Sequence, residues 1–368
     1  MTELALHAYH AEQGARFTQV NGMEVVEHFG DQLAEYRILR ERGGVLDLSF
    51  RGRLCLTGSD RKRFLHGQIT NNVKDLDVGQ GCYAALTTAK GKMQSDLNVY
   101  CLADELLLDF EPGYQQAVTQ RLEKYIIADD VQVVDPSAQY GLLGVQGPMA
   151  GSIILRSGLN LALPDKLFSF TRSNDSGSGE LYCMNHPRGQ GIGFDLFIPT
   201  RQLASAAEKL LHAARDAGGG MCGCQALEMI RIEAALPRFG ADMDESNLPP
   251  EAGIETRAVS YTKGCYIGQE VLARIRTYGQ VSKTLRRLRL ADDLAQLPAR
   301  SDRLFHGDKE AGYITSALVS PAFKCNIALG YVRREYSTGA ELRLHSASRE
   351  SAVKVLKPCS EADAEGWK

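Results

Sequence analysis

The sequence predicts an α+β protein with antiparallel sheets and a separate C-terminal β domain. Three observations carry that prediction. Amphipathic helical stretches are interspersed with clusters of short apolar runs, without the regular alternation that builds a parallel sheet. Several apolar runs follow one another as hairpins. From about residue 284 the pattern changes to short alternating segments separated by turns, such as "TLRRLRL", "ELRLH" and "AVKVLK", which suits a small barrel or sandwich.

The elements follow in order. "DQLAEYRILRERGG" (31–44) predicts a helix capped by Asp31, with Leu33, Tyr36 and Leu39 near one face and Gly43-Gly44 at its end. "RLCLTGSDRKRFLHGQITNN" reads as strand, turn and helix, with Ser59 or Asp60 as N-cap. Residues 97–110 read as a hairpin around "ADE". Residues 114–127 form a helix with Val118, Leu122 and Tyr125 or Ile126 inward. Strands are expected near 131–135, 140–145, 167–172, 181–183 and 193–198, and "SNDSGSGE" (173–180) is a loop by composition. A helix over 201–217 stops at Gly218-Gly219-Gly220, and "CQALEMIRIEAAL" is another. Pro237, Pro249 and Pro250 make the segment after it an extended surface stretch, usable as a lid or linker.

Length and composition bound the function. A chain of 368 residues exceeds one ordinary core and points to two or three domains. A net charge of −3 gives no reason to expect nucleic acid or an anionic membrane as partner. No apolar run approaches the ~18 residues of a membrane span. The N-terminal stretch lacks the pattern of a secretion signal, so a cytoplasmic location is expected. Nine scattered cysteines do not read as a disulfide framework. Cys55 and Cys101 sit in apolar, strand-like contexts as small hydrophobes. Cys222 and Cys224 lack the second pair of ligands that a structural zinc needs. Dinucleotide and P-loop glycine patterns are absent, and no histidine pair has metalloprotease spacing.

Three stretches offer chemistry. In "KGCYIGQEVLAR" (263–274), Cys265 precedes a helix that starts at Gly268. The helix dipole and the Lys263 ammonium both favour a thiolate. Alternatively, the stretch is a tight connection with positive φ at Gly264 and Gly268 and Cys265 packed inward. In "YAALTTAKGKMQSDLNVY", Tyr83 and Asp96 line one cavity if the runs around Gly91 pair as a hairpin, and the carboxylate can accept from a protonated ring nitrogen. Otherwise Asp96 merely caps a turn. In "MIRIEAALPRFGADMDESNLPPEAG", Arg231 can clamp a carboxylate or ring oxygen, or pair with Glu228 or Glu233.

Together these stretches carry a resemblance. "EYRILRERGGVLDLSFRGRLCLTGSDRKRFLHGQITNNV", "LGVQGPMA", "IRIEAALPRFGADMDESNLPPEAGIE" and "GYITSALVSP…CNIALGYVRR" resemble the folate-binding aminomethyltransferases, the glycine-cleavage T-proteins and their relatives, over about residues 30–357. Within that superfamily the cysteine of K-G-C-Y-I-G-Q-E resembles the YgfZ-type folate-binding proteins. The resemblance implies a three-domain cloverleaf around a folate-holding hole: a discontinuous folate-binding domain (1–48 and 138–275), an α+β domain (49–137) and a C-terminal β-barrel (280–358). It implies tetrahydrofolate, or a one-carbon-substituted folate, as cofactor. It implies an accessory role in assembling or repairing iron–sulfur clusters of client proteins, including tRNA-modifying ones, or else aminomethyl transfer or demethylation.

By the same resemblance Tyr83, Asp96 and Arg231 match folate-site positions, while Ser95 stands where the transferases have a first aspartate. Gly191 falls where their pterin-holding glutamate belongs, and Phe194 and Asp195 keep the end of that motif. Tyr266 and Gln269 join the expected binding set. Cys265, Lys263 and Asp96 are the expected chemical groups.

Overall fold

A computed structural model describes residues 2–175, 179–337, 339–346 and 349–356. The chain divides into two compact units. The first comprises Met1–Leu86, Ser95–Ile230 and Thr262–Tyr266, and the second Thr87–Gln94, Arg231–Tyr261 and Ile267–Lys368.

The elements through residue 233 run α1 (His7–Glu12), β1 (Arg16–Val20), β2 (Met23–His28), α2 (Gln32–Glu41), β3 (Gly44–Asp47), β4 (Gly52–Thr57), α3 (Arg61–Gln68), β5 (Gly81–Thr87), β6 (Met93–Cys101), β7 (Leu106–Phe110), α4 (Gln115–Glu123), β8 (Gln132–Val134), β9 (Tyr140–Gln146), α5 (Ala150–Arg156), β10 (Phe170–Asp175), β11 (Gly179–Asn185), β12 (Gly193–Pro199), α6 (Thr200–Asp216), β13 (Gly220–Met221) and α7 (Cys224–Glu233). They form a small β1–β2 pair, a six-stranded sheet ordered β10-β11-β12-β9-β3-β13 and a five-stranded sheet ordered β5-β6-β7-β4-β8. The β3–β13 pairing is parallel, and the β1–β2, β10–β11, β11–β12, β12–β9, β3–β9, β4–β7, β4–β8 and β6–β7 pairings are antiparallel.

Local rules explain the elements. Asp31 caps α2 by accepting from Leu33 N and Ala34 N. On α6, Leu203, Ala206, Ala207, Leu210, Leu211 and Ala214 recur at helical spacing and are buried with Leu143, Val145, Leu196 and Ile198 of β9 and β12. Each leucine buried there contributes about 1.5–3 kcal/mol. On the five-stranded sheet, Leu97, Val99 and Cys101 join the core with Phe64, Leu65, Val118 and Leu122 of α3 and α4. The alternate residues of β6 turn to the opposite face. There Tyr100, Leu107 and Cys55 meet Leu46, Leu142, Met184 and Phe197 of the six-stranded sheet. The two sheets therefore share one core layer inside the first unit.

"SNDSGSGE" is mostly strand rather than loop. Residues through Asp175 pair with β11 from Gly179 onward, and 176–178 lie outside the described residues. Polar composition concealed a hairpin at the edge of the sheet.

The second unit continues with α8 (Glu255–Ala258), α9 (Gln269–Tyr278), β14 (Lys283–Leu290), β15 (Arg303–His306), β16 (Lys309–Ser320), β17 (Cys325–Arg333), β18 (Glu341–Ser346) and β19 (Arg349–Val355). The six strands close into a barrel ordered β14-β17-β16-β15-β18-β19. Leu288, Leu304, Ile314, Ala328, Val332, Leu344 and Val353 fill it.

The stretch after α7 departs from expectation. It is not a surface lid: Phe239, Asp242, Met243, Asn247, Glu251 and Ile254 are buried. Asp242 accepts from Arg231 Nη1 (2.6 Å), Arg238 N (3.1 Å), Thr315 Oγ1 (2.6 Å) and Ser316 Oγ (2.7 Å), which ties the stretch to β16. Asp242 and Glu251 are buried because each has donors, Glu251 accepting from Leu248 N (2.9 Å), a pairing that composition does not reveal.

No helix among the described residues is long and apolar enough to cross a membrane. The eight described cysteines are all free.

Candidate active site

The hairpin expected around Gly91 brings Tyr83 and Asp96 together. Strands β5 and β6 are neighbours, Gly91 takes φ +71° in the turn between them, and Tyr83 Oη donates to Asp96 Oδ2 at 2.8 Å. Asp96 Oδ1 is buried and has no hydrogen-bond partner among the described residues. Burial, then the charge of Glu111, pushes the Asp96 carboxyl up to about 6, against the opposing pull of Tyr83 and Arg51.

Beside it lies a chain of buried ion pairs that sequence reasoning missed. Arg51 holds Asp109 through Nε (2.7 Å) and Nη2 (3.1 Å), and Glu111 through Nη1 (2.5 Å). Arg188 Nη2 reaches Asp109 (3.3 Å) and Asp195 (2.6 Å), and its Nε donates to Asp195 (3.2 Å). His186 Nδ1 lies 2.9 Å from Asp195 Oδ2, and Asn98 Nδ2 donates to Asp109 Oδ2 at 2.8 Å. Strand alternation and register assemble this row. Arg53, Asp109 and Asn98 face one another across β4, β7 and β6, while Asp195 turns away from Phe194, Leu196 and Ile198 on β12.

Burial opposes the charge on Asp109, but Arg51 and Arg188 outweigh it and hold the carboxyl well below the usual range. Burial and then Arg188 lower the His186 imidazole, against the opposing pull of Asp195. Asp109, His186 and Asp195 are close enough to surround a metal. The Arg188 guanidinium already bridges the two carboxylates, so the chain itself supplies the positive charge there.

Phe194 is a core residue, 5% exposed, because alternation along β12 sends it under the helices. Gly191 lies exposed in the β11–β12 connection with φ +105°. His186 and Arg188, in the same connection, both reach the buried carboxylates.

Lys263 does not serve Cys265. It is 7% exposed, and its ammonium donates to three carbonyls, of His66 (2.5 Å), Ile69 (2.7 Å) and Asn71 (2.9 Å). These lie at and just beyond the C-terminus of α3, where a cation is favoured. All three ammonium donors are used, so none remains for a thiolate. Burial lowers Lys263 to about 8. Its Nζ also sits 4.8 Å from the ring centroid of Tyr266, which is buried. Cys265 is exposed rather than packed inward.

Gly264 does not have positive φ, whereas Gly268 does, at +90°. A Cβ at Gly268 would stand 2.6 Å from Thr88 O, so the second glycine of the motif is required by backbone conformation and by close approach. Gln269, in the second unit, is the first residue of α9. Arg231 also belongs to the second unit. It pairs with Asp242 and further donates to Leu236 O (3.0 Å) and Ser316 Oγ (3.1 Å). Glu233 accepts from Ser320 Oγ and Ala322 N.

Comparison with known proteins fits this geometry. Residues 6–263 match the family described as the GCVT N-terminal domain, and residues 283–360 match the glycine cleavage T-protein C-terminal barrel domain. The first match begins at residue 6, so the resemblance reaches well ahead of residue 30. An aminomethyltransferase from Halalkalibacterium halodurans is 27% identical over 97% of this chain and 98% of that protein. One from Synechococcus sp. is 29% identical over 94% of this chain and 95% of that protein. The crystal structure of the glycine cleavage system aminomethyltransferase T from Bartonella henselae covers 96% of both chains with a TM-score of 0.86 at 24% identity, a likeness of fold.

Proposed function

The chain belongs to the glycine-cleavage T-protein family, and from that premise we propose that it binds tetrahydrofolate and takes part in one-carbon transfer, with Asp96 meeting a pterin nitrogen. The observation that carries this reading is the buried, unpartnered Asp96 Oδ1. A buried acceptor left unsatisfied costs about 1–3 kcal/mol, and a ligand N–H that reaches it removes that cost. Tyr83 fixes the other oxygen, so the carboxylate is oriented before a ligand arrives. With a carboxyl near 6, Asp96 is mostly an acceptor at neutral pH and still exchanges protons readily.

When bound, the folate supplies the acceptor for the one-carbon unit. The curated relatives favour an aminomethyl group as that unit. Ser95 and Gly191 depart from the transferase pattern, which points to a looser hold on the pterin. In this reading the functional division is 1–48 with 138–275, then 49–137, then 280–358, and the cytoplasm is the place of action.

Calorimetric titration of tetrahydrofolate tests it. Wild type binds, and Asp96→Asn weakens binding by about tenfold or more, a loss of about 1.4 kcal/mol. With tetrahydrofolate present, wild type should also free the thiol of an aminomethylated lipoyl carrier, the carbon passing to the folate and the nitrogen leaving as ammonia. No binding by wild type overturns the folate reading.

A second reading is a YgfZ-type accessory role toward iron–sulfur client proteins, tRNA-modifying ones among them. It is favoured by Cys265, the one exposed cysteine among the eight described. Complementation decides it. If Cys265→Ser keeps folate affinity but fails to restore client activity, the thiol has a separate task. If it restores activity fully, this reading falls.

A further inference from the structure

Glu111 is held in an unfavourable place. Asn98 on β6 faces Asp109 on β7, and continuing that register by two residues sets Asp96 across from Glu111 on the same face. Opposed like charges on neighbouring strands repel. Glu111 cannot swing away freely, because Arg51 Nη1 holds its Oε1 at 2.5 Å while the other Arg51 donors are fixed on Asp109. Asp96, Asp109, Glu111 and Asp195 bring four carboxylates to Arg51 and Arg188, while Arg53, the third buried guanidinium beside Asp109, donates to Tyr140 O and Ser49 O. Asp96 is the carboxylate of this group that bonds to neither Arg51 nor Arg188 and takes a phenol instead.

We propose that Glu111, clamped by Arg51, is a positioning residue that decides whether Asp96 presents a proton donor or an acceptor to a ligand. The groups of this unit that face Asp96 are Tyr83 from β5, Glu111 at the end of β7 and Arg51 ahead of β4. Tyr83 and Arg51 favour the ionised form, and burial and Glu111 disfavour it. The network thus keeps Asp96 poised to change charge near neutrality. Once ionised, Asp96 selects a ligand edge that carries hydrogen-bond donors or positive charge. The functional consequence rests on the folate reading above; the charge on Asp96 does not.

The test uses full-length, ligand-free protein labelled with 13C in aspartate side chains, with the Asp96 signal assigned by its loss in Asp96→Asn. The wild-type carboxyl titrates near 6. In Glu111→Gln the Asp96 midpoint falls by roughly one pH unit. A merely structural Glu111 would change thermal stability without moving that midpoint. If Glu111→Gln does not fold, Glu111→Asp retracts the charge and lowers the midpoint by a smaller amount. An unmoved Asp96 midpoint in whichever variant folds overturns the proposal. Absence of tetrahydrofolate binding would leave this result standing, and an unmoved midpoint would leave the folate reading standing.

Discussion

Lys263 and Cys265 are two residues apart, and the structure gives them opposite surroundings: the ammonium is buried on three backbone carbonyls, and the thiol is exposed. The motif that joins them therefore contains an anchor and a free end. Lys263→Met should destabilise the protein by about 2–4 kcal/mol, because three buried carbonyls lose a charged donor. Cys265→Ser should change stability by less than about 0.5 kcal/mol. Urea denaturation of both variants checks the contrast, and equal losses would refute it.

The same contrast sets thiol reactivity. Brief treatment of native protein with iodoacetamide should modify Cys265 ahead of the other seven described cysteines, all buried or partly buried. Burial raises the thiols of Cys82, Cys183 and Cys222, and leaves them inert until unfolding. Peptide mass mapping reads the order of labelling. Preferential labelling of one of those buried thiols would contradict the burial assigned here.

Asp96→Asn should trade binding for stability. The folded-state carboxyl is raised to about 6, so the folded protein holds its proton more tightly than the unfolded chain does. The associated stability is fully present below the unfolded value near 4 and is lost as pH rises through about 6. Asparagine does not ionise, so the variant should gain on wild type as pH climbs from about 4 to 7. Melting temperatures across that range measure it. A gap between the two proteins that does not widen with pH would show that Asp96 ionises without penalty.

Arg51→Met leaves Asp109 and Glu111 buried without their shared guanidinium. Breaking one side of such a pair costs about 3–5 kcal/mol. The loss should be largest at neutral pH and shrink in acid, since protonating Asp109 removes the stranded charge. Urea midpoints at pH 7 and pH 4 check the direction, and a loss independent of pH would point to packing alone.

Much of this was legible along the chain. The Asp31 cap, the α6 stripe and the alternation of β6 are local signals, and the structure follows them. Tyr83 and Asp96 could be paired because a short hairpin fixes their register. The ion-pair chain had no such local sign, since Arg51 and Arg188 stand 58 and 79 residues from Asp109. One clue was present: Asp109 interrupts the apolar run "LLLDF", and a carboxylate inside a buried strand needs a cation. The stretch after α7 misled for the converse reason. Its prolines and acidic residues look like surface until the donors of Asp242 on β16 are known.

The bonds from Lys263 to residues 66–71 join points almost 200 residues apart in the sequence. A ribosome makes those carbonyls long before it makes the ammonium that satisfies them. The first unit cannot mature in step with synthesis, because its last tie arrives only when about seven-tenths of the 368-residue chain exists. Until then the end of α3 must stay hydrated or be shielded by another protein. Nascent chains halted before residue 263 should be cut by protease in the 60–75 region, and chains halted well beyond it should resist.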